Sequence, residues 1–260
     1  MPLTYPQYLQ LEGLLALQQP LSEGPEHDEM LFIVIHQVYE LWFKQMLHET
    51  AHLQARLEAG DVPGGLATFK RMLTILKVLV SQIDVLETMT PISFSSFRTR
   101  LDTASGFESS QFRTLEFVLG HKRPGAAARY PAGSAERTQL EAAIARPSLW
   151  DSFLRLLARR GYAVPEEVLL RDVSQPVGES AEVQEVLLEI YRNDPLLSQV
   201  CERLVDLDEG LQEWRYRHVK MVERTIGTKR GTGGSTGAEY LRATLFRPLF
   251  PDLWAIRVRL

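Results

Sequence analysis

From about Asp28 to Glu58 the chain holds no glycine and no proline. Strands do not run that long. The apolar residues also return at helical spacing, with Phe32, His36, Tyr39, Phe43 and Leu47 on one stripe. The run predicts a single long helix, with Asp28 and Glu29 near its positive end. Two further long helices follow from the same logic. One covers about Leu66 to Glu87, after a break at Gly60–Gly65, with Met72, Leu76, Leu79, Ile83 and Leu86 on its apolar face and Pro91 beyond its end. The other covers about Pro195 to Ile226. Shorter helices are expected over Tyr5–Gln18, Ala135–Ala145, Leu149–Arg159, Val183–Tyr191 and Glu239–Leu245, with loops at Gly120–Ser134 and Gly227–Gly237. No segment alternates at period two, so no sheet is expected. The predicted fold is all-α, a helical bundle built on three long helices with a cofactor pocket between helices. It forms a single domain over residues 1–260, in which 135–191 have room to form a small helical sub-lobe.

The composition removes several function classes. At 260 residues and 45% hydrophobic, the chain is long enough for a sizeable core. A net charge of −4 supplies no bulk positive field for nucleic acid. The single Cys201 excludes an internal disulfide and a thiolate zinc site, and it suits a reducing cytoplasm. The polar, proline-broken start MPLTYPQYLQLEG does not read as a signal peptide. The most apolar run, Met30 to Ile35, is too short to span a bilayer.

The histidines carry the chemistry. Residues 48–52 read HETAH, which matches the zinc-protease pattern H-E-x-x-H. Yet His48 and His52 lie roughly 120° and 160° round the helix from the apolar stripe, beside Lys44, Gln45 and Arg56. A third ligand is also missing, because Ala55 and Glu58 stand where the extended motif needs Gly and His. Beyond the break at Asp61 only Asp84 and Glu87 offer an acid on the next helix. The pair is expected to be two solvated histidines. His36 and His218 differ, because each interrupts an apolar stripe on a long helix. On the third helix the stripe is Leu207, Leu211, Trp214, His218, Val222, flanked by Arg215, Arg217 and Lys220. One such histidine is usually a hydrogen-bonded core residue. Two on separate long helices point to a cofactor site between them. One imidazole in a bulky apolar pocket suits haem better than zinc, and nearby arginines could pair with propionates.

The stretch GTKRGTGGSTG (227–237) looks like a phosphate cradle, but it lacks G-K-[ST] and follows a helix. It reads either as a flexible linker or as a loop able to close over an anion, with Thr232 offering a hydroxyl. Together with LTYPQYLQLEGLLALQQP (3–20), HDEMLFIVIHQVYELWFKQ (27–45), FRTRLDTASGFESSQFR (97–113) and WRYRHVKMVERTIGTKRGTGGSTG (214–237), it makes the chain resemble the tryptophan 2,3-dioxygenase family. The blocks occur in the family's order over most of the chain, and 121–200 is the weakest match.

The resemblance implies a haem-dependent enzyme that inserts both atoms of O₂ across the indole C2–C3 bond of L-tryptophan. The product would be N-formyl-L-kynurenine, the first step of tryptophan catabolism by the kynurenine pathway. It implies haem b, ferrous when active, with His218 as the axial ligand to iron. It makes His36 the histidine facing the indole N–H and Phe32 the wall of the indole pocket. Arg98 becomes the carboxylate-binding arginine, and Thr232 the contact for the ammonium and carboxylate end. Ser105 and Gly106 would line the haem pocket close to bound O₂. Tyr5, Tyr8 and Leu9 would complete the pocket of a neighbouring subunit, which implies a homotetramer. Phe94 stands where some members have tyrosine. No redox partner is implied, because no net electrons are consumed.

Three rivals are weighed against this. One is a related haem monooxygenase acting on a substituted tryptophan in a biosynthetic pathway; retention of His36, Arg98 and Thr232 favours tryptophan itself. Another is a haem sensor or carrier without turnover, which Arg98 argues against. The third is the zinc hydrolase of the HETAH motif.

Overall fold

The computed structural model describes residues 2–24, 26–233 and 237–260. Its described elements are all helical. In chain order the α-helices are α1 (Tyr5–Leu9), α2 (Leu11–Leu15), α3 (His27–Glu58), α4 (Val62–Leu86), α5 (Pro91–Phe97), α6 (Ser110–Leu119), α7 (Ala135–Ile144), α8 (Leu149–Arg159), α9 (Glu166–Leu169), α10 (Ala181–Asn193), α11 (Pro195–Ile226), α12 (Ala238–Arg242) and α13 (Pro251–Ala255). Short 3₁₀ turns fill Arg98–Leu101, Gly106–Glu108, Pro124–Arg129 and Ile256–Arg259. No described helix is long and apolar enough to cross a membrane.

The three long elements are α3 and α11, of 32 residues each, and α4, of 25. α4 begins four residues before the sequence predicts. Asp61 accepts from the Gly64 amide at 3.0 Å and caps the helix, and Pro63 sits in the first turn, where its missing N–H is not needed. The break is therefore confined to the α3–α4 corner, where Gly60 takes φ +77°. This tight corner folds α4 back along α3. Leu53 and Leu57 of α3 and Phe69, Met72, Leu79 and Ile83 of α4 are buried together. Each fully buried side chain of this size stabilises the fold by roughly 1.5–3 kcal/mol.

α11 lies along the other side of α4, and Leu76 of α4 packs closely on Gly210. α4 is thus shared: α3 and α11 each pack along it far more than on each other. Where they diverge, a cavity remains between them. Trp150 and Phe153 of α8 and Leu187 of α10 join the same core. A satellite cluster of Phe117, Ala127, Leu140 and Ala143 packs α7 and the 124–129 turn on α6.

The N-terminal helix departs from expectation. Tyr5–Gln18 is two short helices separated at Gln10, which takes φ +53°. Leu3, Tyr5, Tyr8, Leu15, Leu17 and Leu21 are all exposed. With no core to pack on, so short a segment has no tertiary support for continuous helix.

Candidate functional site

A cavity of about 260 Å³ opens between α3, α11, α5 and α6. One wall is the α3 stripe Phe32, His36, Tyr39 and Phe43, and the facing wall is Trp214, His218, Met221 and Val222 of α11. Apolar residues three and four apart on two divergent helices produce this arrangement directly, because each stripe faces the space that α4 does not fill. Leu47, the last member of the α3 stripe, does not line the cavity and packs, partly buried, against the main core.

On the α3 wall, Phe32 lies 4.1 Å from the His36 ring and 5.8 and 5.6 Å from Phe94 and Phe97, measured between centroids. His36 Nδ1 is 2.7 Å from the Phe32 carbonyl oxygen. A carbonyl only accepts, so Nδ1 carries the proton and Nε2 keeps its lone pair. Burial lowers the His36 pKa against the opposing effects of the Phe32 carbonyl and Glu40, which favours this neutral tautomer.

On the α11 wall, His218 stacks on Trp214 at 5.4 Å and 15° between planes. Trp214 in turn packs edge-on to Tyr39 and Phe43 and against Phe112. Burial, and secondarily the nearness of the His36 imidazole, push the His218 pKa down to about 4. The ring is therefore neutral at pH 7, and no described residue hydrogen-bonds to it. An imidazole with a free lone pair in an apolar cavity is the donor that a metal centre requires. Of the three cations flanking it in sequence, only Arg215 faces the cavity, bound to Glu116 at 2.7 Å and to the Thr244 carbonyl at 2.9 Å. Arg217 turns away to Asp84 and Glu87, and Lys220 pairs with Glu223. Helical phase explains the split, since 217 and 220 lie off the apolar stripe.

The cavity rim is built from irregular backbone. Arg98 follows α5 and donates to the Arg230 carbonyl across the opening, with no carboxylate partner among the described residues. Thr232 donates to the Ala104 carbonyl at 2.7 Å, which ties the glycine-rich loop to the 104–106 segment. Ser105 and Gly106 line the cavity beside it. Gly233 is required there, because a Cβ at that position would stand 2.7 Å from Ser105 Cβ. Residues 234–236 of the loop lie outside the described residues.

Phe32, His36, Arg98, Ser105, Gly106, Thr232 and His218 thus line one cavity. Tyr5, Tyr8 and Leu9 do not, and they project from the body of their own chain. His48 and His52 are exposed on the far side of α3, where Arg56 donates to His52 at 3.2 Å. Glu49 between them is buried against Arg71 and Gln45. Among the described residues no three His, Cys, Asp or Glu side chains converge as metal ligands.

Sequence reasoning missed α6. Its Phe112, Arg113 and Glu116 line the cavity, and Glu116 binds Arg113, Arg123 at 2.6 Å and Arg215. Charged residues at buried positions hid the amphipathic pattern, and the only available signal was the repeat Phe112, Leu115, Leu119.

Comparison with known proteins places the chain in a family. The family model described as tryptophan 2,3-dioxygenase matches residues 1–139 and 185–260. The tryptophan 2,3-dioxygenase of Herpetosiphon aurantiacus is 58% identical over 258 residues, covering 99% of this chain and 98% of that protein. That of Anaeromyxobacter sp. strain K is 60% identical over 257 residues, covering 98% and 95%. That of Caulobacter vibrioides is 45% identical over 262 residues, covering 99% and 98%.

Proposed function

The chain belongs to the tryptophan 2,3-dioxygenase family, and from that premise we propose that it cleaves the indole C2–C3 bond of L-tryptophan with O₂, giving N-formyl-L-kynurenine. The supporting observation is one cavity that holds two neutral imidazoles on facing walls and an arginine with no carboxylate partner at its rim.

The residues present fit haem b, ferrous when active. His218 offers an uncommitted imidazole nitrogen, the apolar walls suit a porphyrin face, and Arg215 stands where a propionate can be met. When bound, haem supplies the activation of O₂. The protein's part is to bind and orient the substrate. Arg98 grips the carboxylate with its planar fork. Thr232, whose proton is engaged by Ala104, keeps lone pairs to accept from the ammonium. Phe32 packs against the indole, and His36 Nε2 accepts the indole N–H and holds that proton in place. Phe94 gives the Arg98 end an apolar neighbour where some members have a tyrosine hydroxyl. Ser105 and Gly106 narrow the cavity and help to exclude water.

The active form is a homotetramer in which Tyr5, Tyr8 and Leu9 close a neighbouring subunit's pocket; their exposure supports this. Residues 1–260 act as one domain, with 135–191 as a minor lobe. The buried thiol of Cys201 is in keeping with a cytoplasmic setting.

The test is turnover of L-tryptophan by the haem-reconstituted, reduced protein under labelled O₂. Two labelled oxygens in the product are expected, and a product carrying only one would overturn the reading in favour of a monooxygenase. His48→Ala/His52→Ala should keep kcat/KM within about twofold of wild type, as exposed residues distant from the chemistry do. Loss of turnover with haem retained would return HETAH to the site.

A further inference from the structure

We propose that Glu29 is a positioning residue for substrate: its carboxylate anchors the N-terminal arm to the helix that bears Phe32 and His36. In doing so it sets where the arm presents Tyr5 and Tyr8. The proposal rests on the reading above, in which the arm completes a neighbouring pocket.

Glu29 sits in the first turn of α3 and is only 2% exposed. A carboxylate so buried is costly unless its oxygens are bonded. Oε1 accepts from the Leu21 amide at 2.7 Å and Oε2 from the Ser22 amide at 3.1 Å. Burial alone would raise its pKa; these amide bonds and the charge of Arg100 outweigh it and hold the group below its ordinary value. The carboxylate thus clamps the backbone just after Pro20. A second tether lies two turns further along α3. Gln37 donates to the Leu17 carbonyl at 3.1 Å, and Gln18 donates to Gln37 at 2.5 Å. Residues 17–22 are therefore fastened to α3 at two points.

Beyond them the arm is bare. Among the described residues, the hydrogen bonds of 3–16 stay within the arm, and α1 packs on α2. Such an arm is a lever, and angular freedom at the anchor is multiplied at its aromatic tip. The anchor also neighbours the substrate-carboxylate end of the site. Ser96 of α5 donates to Glu26 at 2.5 Å, and Arg100, which acts on Glu29, lies in the same turn as Arg98. The arm's exit, the start of α3 and the Arg98 turn thus meet in one polar knot.

A purely structural Glu29 would stabilise the helix start through the dipole and leave substrate affinity alone. The experiment compares wild type, Glu29→Gln and Glu29→Ala as full-length holoenzyme. Haem content, kcat and KM for L-tryptophan are measured, with hydrogen exchange of a peptide covering 17–24. In Glu29→Ala, exchange of that peptide should accelerate and KM should rise about tenfold, the size of one lost bond to a charged acceptor. Haem content should be unchanged and kcat should stay within about threefold. Glu29→Gln, which keeps one acceptor oxygen and the side-chain shape, should fall between and carries the test if the alanine variant does not fold. Unchanged exchange at 17–24 would overturn the anchor. Lost protection with unchanged KM would overturn its link to substrate. Failure of the wild type to act on L-tryptophan would instead overturn the functional reading, while the exchange data would still report on the anchor.

Discussion

Replacing His218 with alanine is expected to abolish the Soret signature of the reconstituted protein and to lower turnover of L-tryptophan by at least about a thousandfold, the scale expected when the sole protein ligand of a reactive centre is lost. His218 is the one imidazole on the α11 wall; its cavity neighbours there are Trp214, Met221 and Val222. His36 does not substitute, because α3 holds it on the opposite wall, where its Nε2 serves the substrate's indole N–H. The fold should survive. The variant loses the stacking of His218 on Trp214, worth about 0.5–1.5 kcal/mol, while Trp214 keeps Tyr39, Phe43 and Phe112 around it. Unchanged far-UV circular dichroism with no haem retained is the expected pairing. Added imidazole should restore part of the Soret band, since the substitution leaves a space of imidazole size. A variant that bound haem with an unaltered spectrum would remove His218 from the role.

The site was legible where it lies on helix and illegible where it lies on loop. Phe32, His36, Tyr39 and Phe43 share a face because 3.6-residue periodicity leaves them no alternative, and the same holds for Trp214 and His218. Two histidines interrupting two such stripes was therefore a physical signal. Arg98, Ser105, Gly106 and Thr232 carry no periodicity at all. Their approach depends on the Thr232–Ala104 bond and on the absence of a Cβ at Gly233, neither of which a single sequence displays, and only family resemblance singled them out. Glu116 in α6 shows the opposite failure. A buried acid looks like a surface residue until the arginines that neutralise it, one of them ninety-nine residues away in sequence, are brought alongside. Pro63, Gly64 and Gly65 read as breakers in the sequence, whereas the Asp61 cap turns them into the first turn of α4. The apolar spacing of the arm predicts one helix, but spacing forms helix only where the apolar face has something to cover.

Replacing Arg98 with alanine is expected to raise KM for L-tryptophan at least about a hundredfold, since two charge-assisted bonds at roughly 1.5–3 kcal/mol each are removed from a carboxylate that must leave water. The guanidinium is available for this, because its bond in the structure is to a backbone carbonyl, that of Arg230, and no described carboxylate neutralises it. Lysine should rescue only in part, because a point charge cannot reproduce the planar fork. The carbonyl bond also gives Arg98 a structural task, in that it ties the turn after α5 to the glycine-rich loop. The two tasks separate with tryptamine, which carries the indole and the ammonium but no carboxylate. If Arg98 acts on the carboxylate, wild type should prefer L-tryptophan strongly, and Arg98→Ala should lose most of that preference while its activity on tryptamine stays nearly level. If kcat/KM for both substrates falls by the same factor, the arginine serves only to hold the loop, and the carboxylate must be met elsewhere on the rim.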